Sequence, residues 1–164
     1  MFSPGDVVTS APVLCPPHVR EELSASLMLF FTGATRDSSK ILTEQESTIP
    51  HKMARLDRLV GMVDEASEAL RTGDTGAWGE LLDRAWQEKR QFASGVTNEL
   101  IDGMYDAARE AGAVGGKVLG AGGGGFLLLF VPPAKQPAVR RALAGYREVP
   151  FSFNPNGTQI VFVD

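Results

Sequence analysis

Apolar positions along this chain switch between two periods, and each switch marks a predicted element. Leu27-Met28-Leu29-Phe30-Phe31-Thr32 is a nearly continuous apolar run closed by Gly33, the pattern of a buried strand. Met53, Leu56, Val60, Val63 and Leu70 then recur at helical steps. Pro50 separates a short helix over 38–48 from a longer one over 51–72. A second stripe (Trp78, Leu81, Leu82, Ala85, Trp86, Phe92) follows the turn Gly73-Asp74-Thr75-Gly76. A third (Ile101, Met104, Tyr105, Ala108) starts at a cap on Thr97 or Asn98 and stops at Gly112. Phe126 to Val131 is again continuously apolar, a second buried strand closed by Pro132-Pro133. Residues 134–144 read as a short helix; Val149, Phe151 and Phe153 alternate before an Asn154-Pro155-Asn156-Gly157 turn, and Ile160 and Phe162 alternate after it. The aromatic and methionine stripes are assigned to the core. Residues 1–22, with Pro4, Pro12, Pro16 and Pro17, read as an irregular lead-in to one domain over 23–164. Strand, three or four helices, strand, helix, hairpin predicts an α+β fold, with helices packed on a mostly antiparallel four-stranded sheet.

Composition adds one local feature. Of 164 residues 18 are glycine, and eight of these lie between Gly112 and Gly125, so the excess is confined to one segment rather than spread as in a low-complexity chain. Charge is also uneven: residues 1–112 carry 11 Lys+Arg and 18 Asp+Glu, residues 113–164 carry 5 and 2, which together give the net −4. No carboxylate occurs between Glu110 and Glu148, and Lys117 lies in that gap. An acidic chain without a basic cluster predicts no general nucleic-acid binding. The longest apolar run is too short to span a membrane. A single cysteine, Cys15, and an N-terminus without a basic leader predict a cytoplasmic protein. With only His18 and His51, no His/Cys metal site is expected.

Two segments carry candidate chemistry. The first is Gly115-Gly116-Lys117-Val118-Leu119-Gly120-Ala121-Gly122-Gly123-Gly124-Gly125. It leaves a helix and enters a strand, the wrong context for a dinucleotide fingerprint, and Val118 after Lys117 breaks a Walker A pattern. Glycines allow close backbone approach and positive φ, and a run of them can aim several N–H groups at an anion. The alternative is a loop packed by glycine beneath a neighbouring helix, with Lys117 exposed. The second is Thr32-Gly33-Ala34-Thr35-Arg36-Asp37-Ser38-Ser39-Lys40, where hydroxyls, an Arg and a Lys gather at a helix start. Such a start favours an anion, with Arg36 able to make two bonds to a phosphate. Ordinary capping by Thr35, Asp37 or Ser38 explains the same residues. Asp57, Glu88, Lys89 and Arg90 read as a solvated helix face.

These segments resemble the C-terminal half of GHMP sugar kinases, and most specifically the D-glycero-D-manno-heptose 7-phosphate kinase type. The resemblance rests on Leu29 to Leu42 and Ala113 to Phe126. Trp86 with Lys89, then Ala93-Ser94-Gly95-Val96-Thr97-Asn98, and Arg147 to Phe153 follow the same order, over about residues 24–163. It implies a ferredoxin-like C-terminal domain and an ATP-dependent phosphotransferase acting on the anomeric hydroxyl of a sugar phosphate. It places Gly115, Gly116, Lys117, Gly120, Ala121, Gly122, Gly123, Gly124 and Gly125 near the nucleotide phosphates and sugar. It also strengthens Thr32, Gly33, Arg36, Ser38, Ser39 and Lys40 as a sugar-side, substrate-binding set.

The family's N-terminal phosphate loop, Mg²⁺ ligands and catalytic acid have no counterpart in these 164 residues, so no catalytic or metal-binding residue is assigned. Phosphoryl transfer works by positioning and charge stabilisation around metal and phosphates. ATP and Mg²⁺ are therefore expected for a complete kinase and not for this chain alone. The expected partners are sugar phosphate, ATP and a kinase N-terminal half, or self-association through apolar surface that such a half would cover. A non-catalytic sugar-phosphate-binding or protein-interaction module is the competing expectation.

Overall fold

The central strands of the sheet are the two continuous apolar runs. In the computed structural model, which describes residues 2–3, 7–8, 12–34, 38–49 and 52–154, they are β3 (Leu27–Phe31) and β5 (Phe126–Phe130). They pair antiparallel from Leu27 opposite Phe130 to Phe31 opposite Phe126. Before them come β1 (Phe2–Ser3) and β2 (Val7–Val8), which pair with each other, and α1 (Pro17–Ser26). Between them run α2 (Ser38–Thr48), α3 (Met53–Thr72), α4 (Thr75–Lys89), α5 (Glu99–Glu110) and β4 (Gly115–Val118). After β5 follow a 3-10 turn (Pro133–Lys135), α6 (Gln136–Ala142) and β6 (Arg147–Glu148). The sheet order is β4-β5-β3-β6 with every neighbour antiparallel. From β3 onward this is the β-α-β-β-α-β arrangement of ferredoxin-like domains, with four helices in the first crossover.

Alternation along the strands divides the core. Met28, Phe30, Val118, Leu127 and Leu129 face α5 and α6, where Ile101, Met104, Tyr105, Ala108, Val139 and Leu143 are all buried. Leu27 and Phe130 face the other way, against Leu23, Leu70, Trp78 and Leu82. The expected third stripe is α5, and Asn98 is its cap, accepting from Ile101 N at 3.0 Å. Gly112, at φ 109°, turns the chain beyond its C-terminus. The Tyr105 hydroxyl donates to Asp83 at 2.5 Å and ties α5 to α4; burial, reinforced by this bond, holds the phenol above its ordinary range.

Three expectations are corrected. Residues 17–22 are helical rather than irregular: Pro17 occupies the first helical position, where a missing N–H costs nothing, and Val19 and Leu23 are buried. On α3 the stripe is not the core face, since Met53, Val60 and Val63 are 52, 66 and 65% exposed. The main neighbour of α3 is α4, and the helix is rotated so that Ala69 is buried instead. Leu59, Met62, Leu70, Trp78 and Leu82 line an apolar groove of about 830 Å³ between the two helices, with Val13 and Leu14 at its rim. Finally, the alternation at Val149, Phe151 and Phe153 does not make a long strand: β6 ends at Glu148, with Val149 N donating once to Leu29 O. The turn beyond Asn154 and the alternation at Ile160 and Phe162 lie outside the described residues.

The remaining strand of the sheet is β4, inside the glycine stretch. A Cβ on Gly115 would lie 2.1 Å from Gly79 O and 2.8 Å from Asp83 N, and one on Gly116 would lie 2.6 Å from Leu128 O. A Cβ on Gly79 would lie 2.5 Å from the Phe130 ring. Glycine at these positions lets the backbone of α4 rest directly on the sheet. Gly115→Ala is therefore expected to destabilise the domain by about 3 kcal/mol, the upper range for overpacking against immovable backbone. Gly103→Ala, at an α5 position with nothing within 4 Å, should stabilise it by about 1 kcal/mol. Urea unfolding of the two variants checks both signs.

Candidate functional site

The glycine loop proper is Leu119 to Gly125, between β4 and β5, and main-chain bonds from distant segments hold it. At the end of β3, Thr32 N donates to Gly125 O at 2.9 Å and Gly125 N donates to Ala34 O at 2.8 Å. The Thr32 hydroxyl adds a bond to Gly125 O at 3.1 Å. On the other side Gly123 N donates to Val96 O at 2.8 Å, and the Asn98 amide donates to Gly123 O at 3.2 Å. From α2 the Gln45 amide donates to Ala121 O at 3.2 Å, and from α4 Lys89 Nζ donates to Gly120 O at 2.5 Å. Glycine is required at two of the contacts: a Cβ on Gly122 would lie 2.5 Å from Val96 O, and one on Gly124 2.5 Å from Ala34 O. Gly120, Gly122, Gly123 and Gly125 all hold positive φ.

The anchored loop keeps donors in reserve. Among the described residues, the amide N–H groups of Gly120, Ala121, Gly122 and Gly124 donate to no protein acceptor. The Lys89 ammonium stands beside them, bonded to Gly120 O. Lys89 is half-buried, and loss of solvent, aided by repulsion from Lys117, brings its amine down to about 8. Three carboxylates of the surrounding helices, among the described residues, have other partners. Glu88 bonds Arg55 and Arg58, Glu44 accepts from Ser94, and Asp102 pairs with Arg90 at 2.9 Å. Uncovered positive charge and free N–H groups around a glycine turn suit a phosphate or another oxyanion.

The sequence candidates divide accordingly. Thr32 and Gly33 meet the glycine loop, but Thr32 is 1% exposed, so its hydroxyl secures the loop and does not face a ligand. Gly115 and Gly116 belong to β4 and serve packing, the role first held open for the whole stretch. Lys117 sits half-buried on the same strand, and Gly120 to Gly125 form the loop itself. Ser38, Ser39 and Lys40 are on the first turn of α2, and Arg36 lies outside the described residues. Lys89 was read as part of a solvated face and is instead a loop anchor. Its signal lay in spacing, one turn after the buried Trp86. Among the described residues no group of three or more His, Cys, Asp or Glu could hold a metal ion, and no helix is long and apolar enough to cross a membrane.

Comparison with known proteins decides the family. The family described as GHMP kinases C terminal matches residues 66–147, half of the chain. The chain belongs to the GHMP kinases. This GHMP kinase domain is 31% identical over 154 residues to a D-glycero-alpha-D-manno-heptose 7-phosphate kinase from Campylobacter jejuni, covering 90% of this chain and 45% of that protein. It is 32% identical over 127 residues to a galactokinase from Thermococcus kodakarensis, covering 73% of this chain and 35% of that protein. Among solved structures, a D-glycero-D-manno-heptose 1-phosphate kinase from Bacteroides thetaiotaomicron aligns with a TM-score of 0.62 at 26% identity, over 93% of this chain and 40% of that one. The mevalonate kinase of Methanococcus jannaschii, at 17% identity and a TM-score of 0.67, shares the fold. The GHMP kinase domain thus spans less than half the length of these relatives.

Two measurements test the geometry of the site. The Lys89 amine is expected to titrate near 8, and Lys117→Met should raise its midpoint by removing the repulsion; NMR of the lysine side chain reads both. Gly124→Ala should force the loop off Ala34 and cut hydrogen-exchange protection of the Thr32 and Gly125 amides at least tenfold, while α5 amides keep theirs.

Proposed function

We propose that this domain is the acceptor-side half of an ATP-dependent sugar-phosphate kinase of the heptose 7-phosphate type. In it, phosphate passes from ATP to the anomeric hydroxyl of the sugar. One observation carries the reading: the segments at 32–34 and 120–125, far apart in sequence, are bonded into one wall with unpartnered N–H groups and the Lys89 ammonium beside it. Phosphoryl transfer needs its reacting groups positioned and their charge balanced more than it needs covalent chemistry from the protein. A rigid glycine loop supplies both, because its donors are already oriented before the ligand arrives.

ATP and Mg²⁺ are the cofactors of this reading. The loop N–H groups and Lys117 fit phosphate oxygens. The described residues offer no carboxylate cluster for the metal. Mg²⁺, which would screen the charge of the transferring phosphates, is in this reading held by residues of the N-terminal half, as the family resemblance implies. The 31% identity to the heptose 7-phosphate kinase over 90% of the chain supports the substrate class. The test is reconstitution. Expressed together with an N-terminal half carrying the nucleotide loop, the chain is expected to give ATP consumption that depends on heptose 7-phosphate. A stable complex without sugar-dependent turnover would overturn the proposal.

A further inference from the structure

Three carbonyls of the glycine loop are gripped by side chains, and each shares its peptide unit with a free N–H. Lys89 Nζ, from α4, donates to Gly120 O at 2.5 Å, and that peptide carries the N–H of Ala121. The Gln45 amide, from α2, donates to Ala121 O at 3.2 Å, and that peptide carries the N–H of Gly122. The Asn98 amide, at the cap of α5, donates to Gly123 O at 3.2 Å, and that peptide carries the N–H of Gly124. Ala121, Gly122 and Gly124 supply three of the four loop N–H groups that meet no protein acceptor. A trans peptide is planar, so its C=O and N–H point in opposite directions. A side chain that draws the carbonyl toward the frame therefore turns the N–H away from it. Gly124 is also a buried residue, and a buried N–H without an acceptor is rare in a folded chain. An oxygen of a bound ligand would satisfy it.

We propose that Lys89, Gln45 and Asn98 are positioning residues of the phosphate site, setting the directions of the Ala121, Gly122 and Gly124 N–H groups respectively. The proposal rests on the kinase reading above and adds how the donors of the loop are aimed. Without a Cβ, glycine lets whole peptide planes turn at little cost, so a glycine loop left to itself would present its N–H groups in many directions. Three side chains from three separate helices remove that freedom, one plane at a time. Donors fixed before the ligand arrives need no reorganisation when charge develops on it. Lys89 acts here as a hydrogen-bond donor to Gly120 O, in addition to the charge it brings. The Gln45 side chain bonds Ala121 O and no other group among the described residues, so its contact serves the loop alone. Asn98 serves two elements, because its Oδ1 accepts from Ile101 N at 3.0 Å while its amide holds Gly123.

Titration of the ¹⁵N-labelled chain with inorganic phosphate, followed by NMR, tests this amide by amide. In the wild type the Ala121, Gly122 and Gly124 N–H signals should all move downfield as phosphate binds. Lys89→Met should abolish the response mainly at Ala121, and Gln45→Leu mainly at Gly122. Asn98→Ser keeps a cap oxygen for Ile101 N but is too short to reach Gly123 O, and it should act mainly at Gly124. Each variant should weaken phosphate roughly 3- to 10-fold, the loss of one oriented hydrogen bond. Lys89→Gln, a neutral donor, should restore the Ala121 response that Lys89→Met removes. Unchanged unfolding midpoints show that the variants fold, and a merely structural role would not give this one-to-one pattern. An equal loss at all three amides, no recovery in Lys89→Gln, or loop amides that ignore phosphate in the wild type would contradict the assignment. In the reconstituted enzyme the two proposals separate. Gln45→Leu should lower kcat roughly 10- to 100-fold with the KM for the sugar phosphate held. Wild-type kcat in that variant removes the positioning role alone. Absence of any wild-type turnover removes the kinase reading, and the amide pattern then decides the positioning by itself.

Discussion

The contact on which the rest of this domain depends is the backbone-to-backbone approach of α4 to β4. Gly79 on the helix and Gly115 on the strand leave no room for a Cβ on either side. Each glycine costs about 0.5–1 kcal/mol of chain entropy relative to alanine in regular structure. That cost is offset by a helix lying flat on the sheet, which sets Trp86 into the core and carries Lys89 to the edge of the glycine loop. A larger residue at either position would lift α4 away and separate Lys89 from Gly120.

The loop inherits its rigidity from this frame. Main-chain bonds from the end of β3 and from Val96, with side chains of α2, α4 and Asn98, grip it from several directions. A polyglycine segment would otherwise sample many conformations, and any ligand would have to offset the entropy of ordering it. Here the folded domain bears that cost in advance. Apolar surface remains exposed on α3, at Met53, Val60 and Val63, and in the groove that Val13 and Leu14 also line.

Much of this was legible in the sequence because the signals were local and strong. The runs at 27–32 and 126–131, the α5 stripe with its Asn98 cap, and the helix limits at 38–48 all appear in the structure. The ordered motifs also placed the chain in its family, which the match over 66–147 bears out. The failures share one cause, since periodicity reports amphipathicity and not which neighbour a face meets. Strand β4 was missed because two of its four residues are glycine and carry no apolar signal. The α3 stripe was oriented wrongly because that helix has one main neighbour, so a regular apolar pattern could remain in solvent. Thr32 was read as a ligand hydroxyl because nothing local says that it is buried. Lys89 was set aside because only the fold brings it to residue 120.

By itself, the sequence determined the two central strands and most of the helices, the α+β class, the confinement of glycine to one segment and the kinase family. The first three follow from spacing and composition, which each stretch of chain carries internally, and the family from the resemblance of its ordered motifs. Only the tertiary structure decided which glycines pack and which form the loop, and that Thr32 clasps rather than contacts. It alone brought Lys89 to the glycine loop, at Gly120 O. Those are relations between segments separated by tens of residues, and they are settled by steric fit and by where neighbouring charges find their partners.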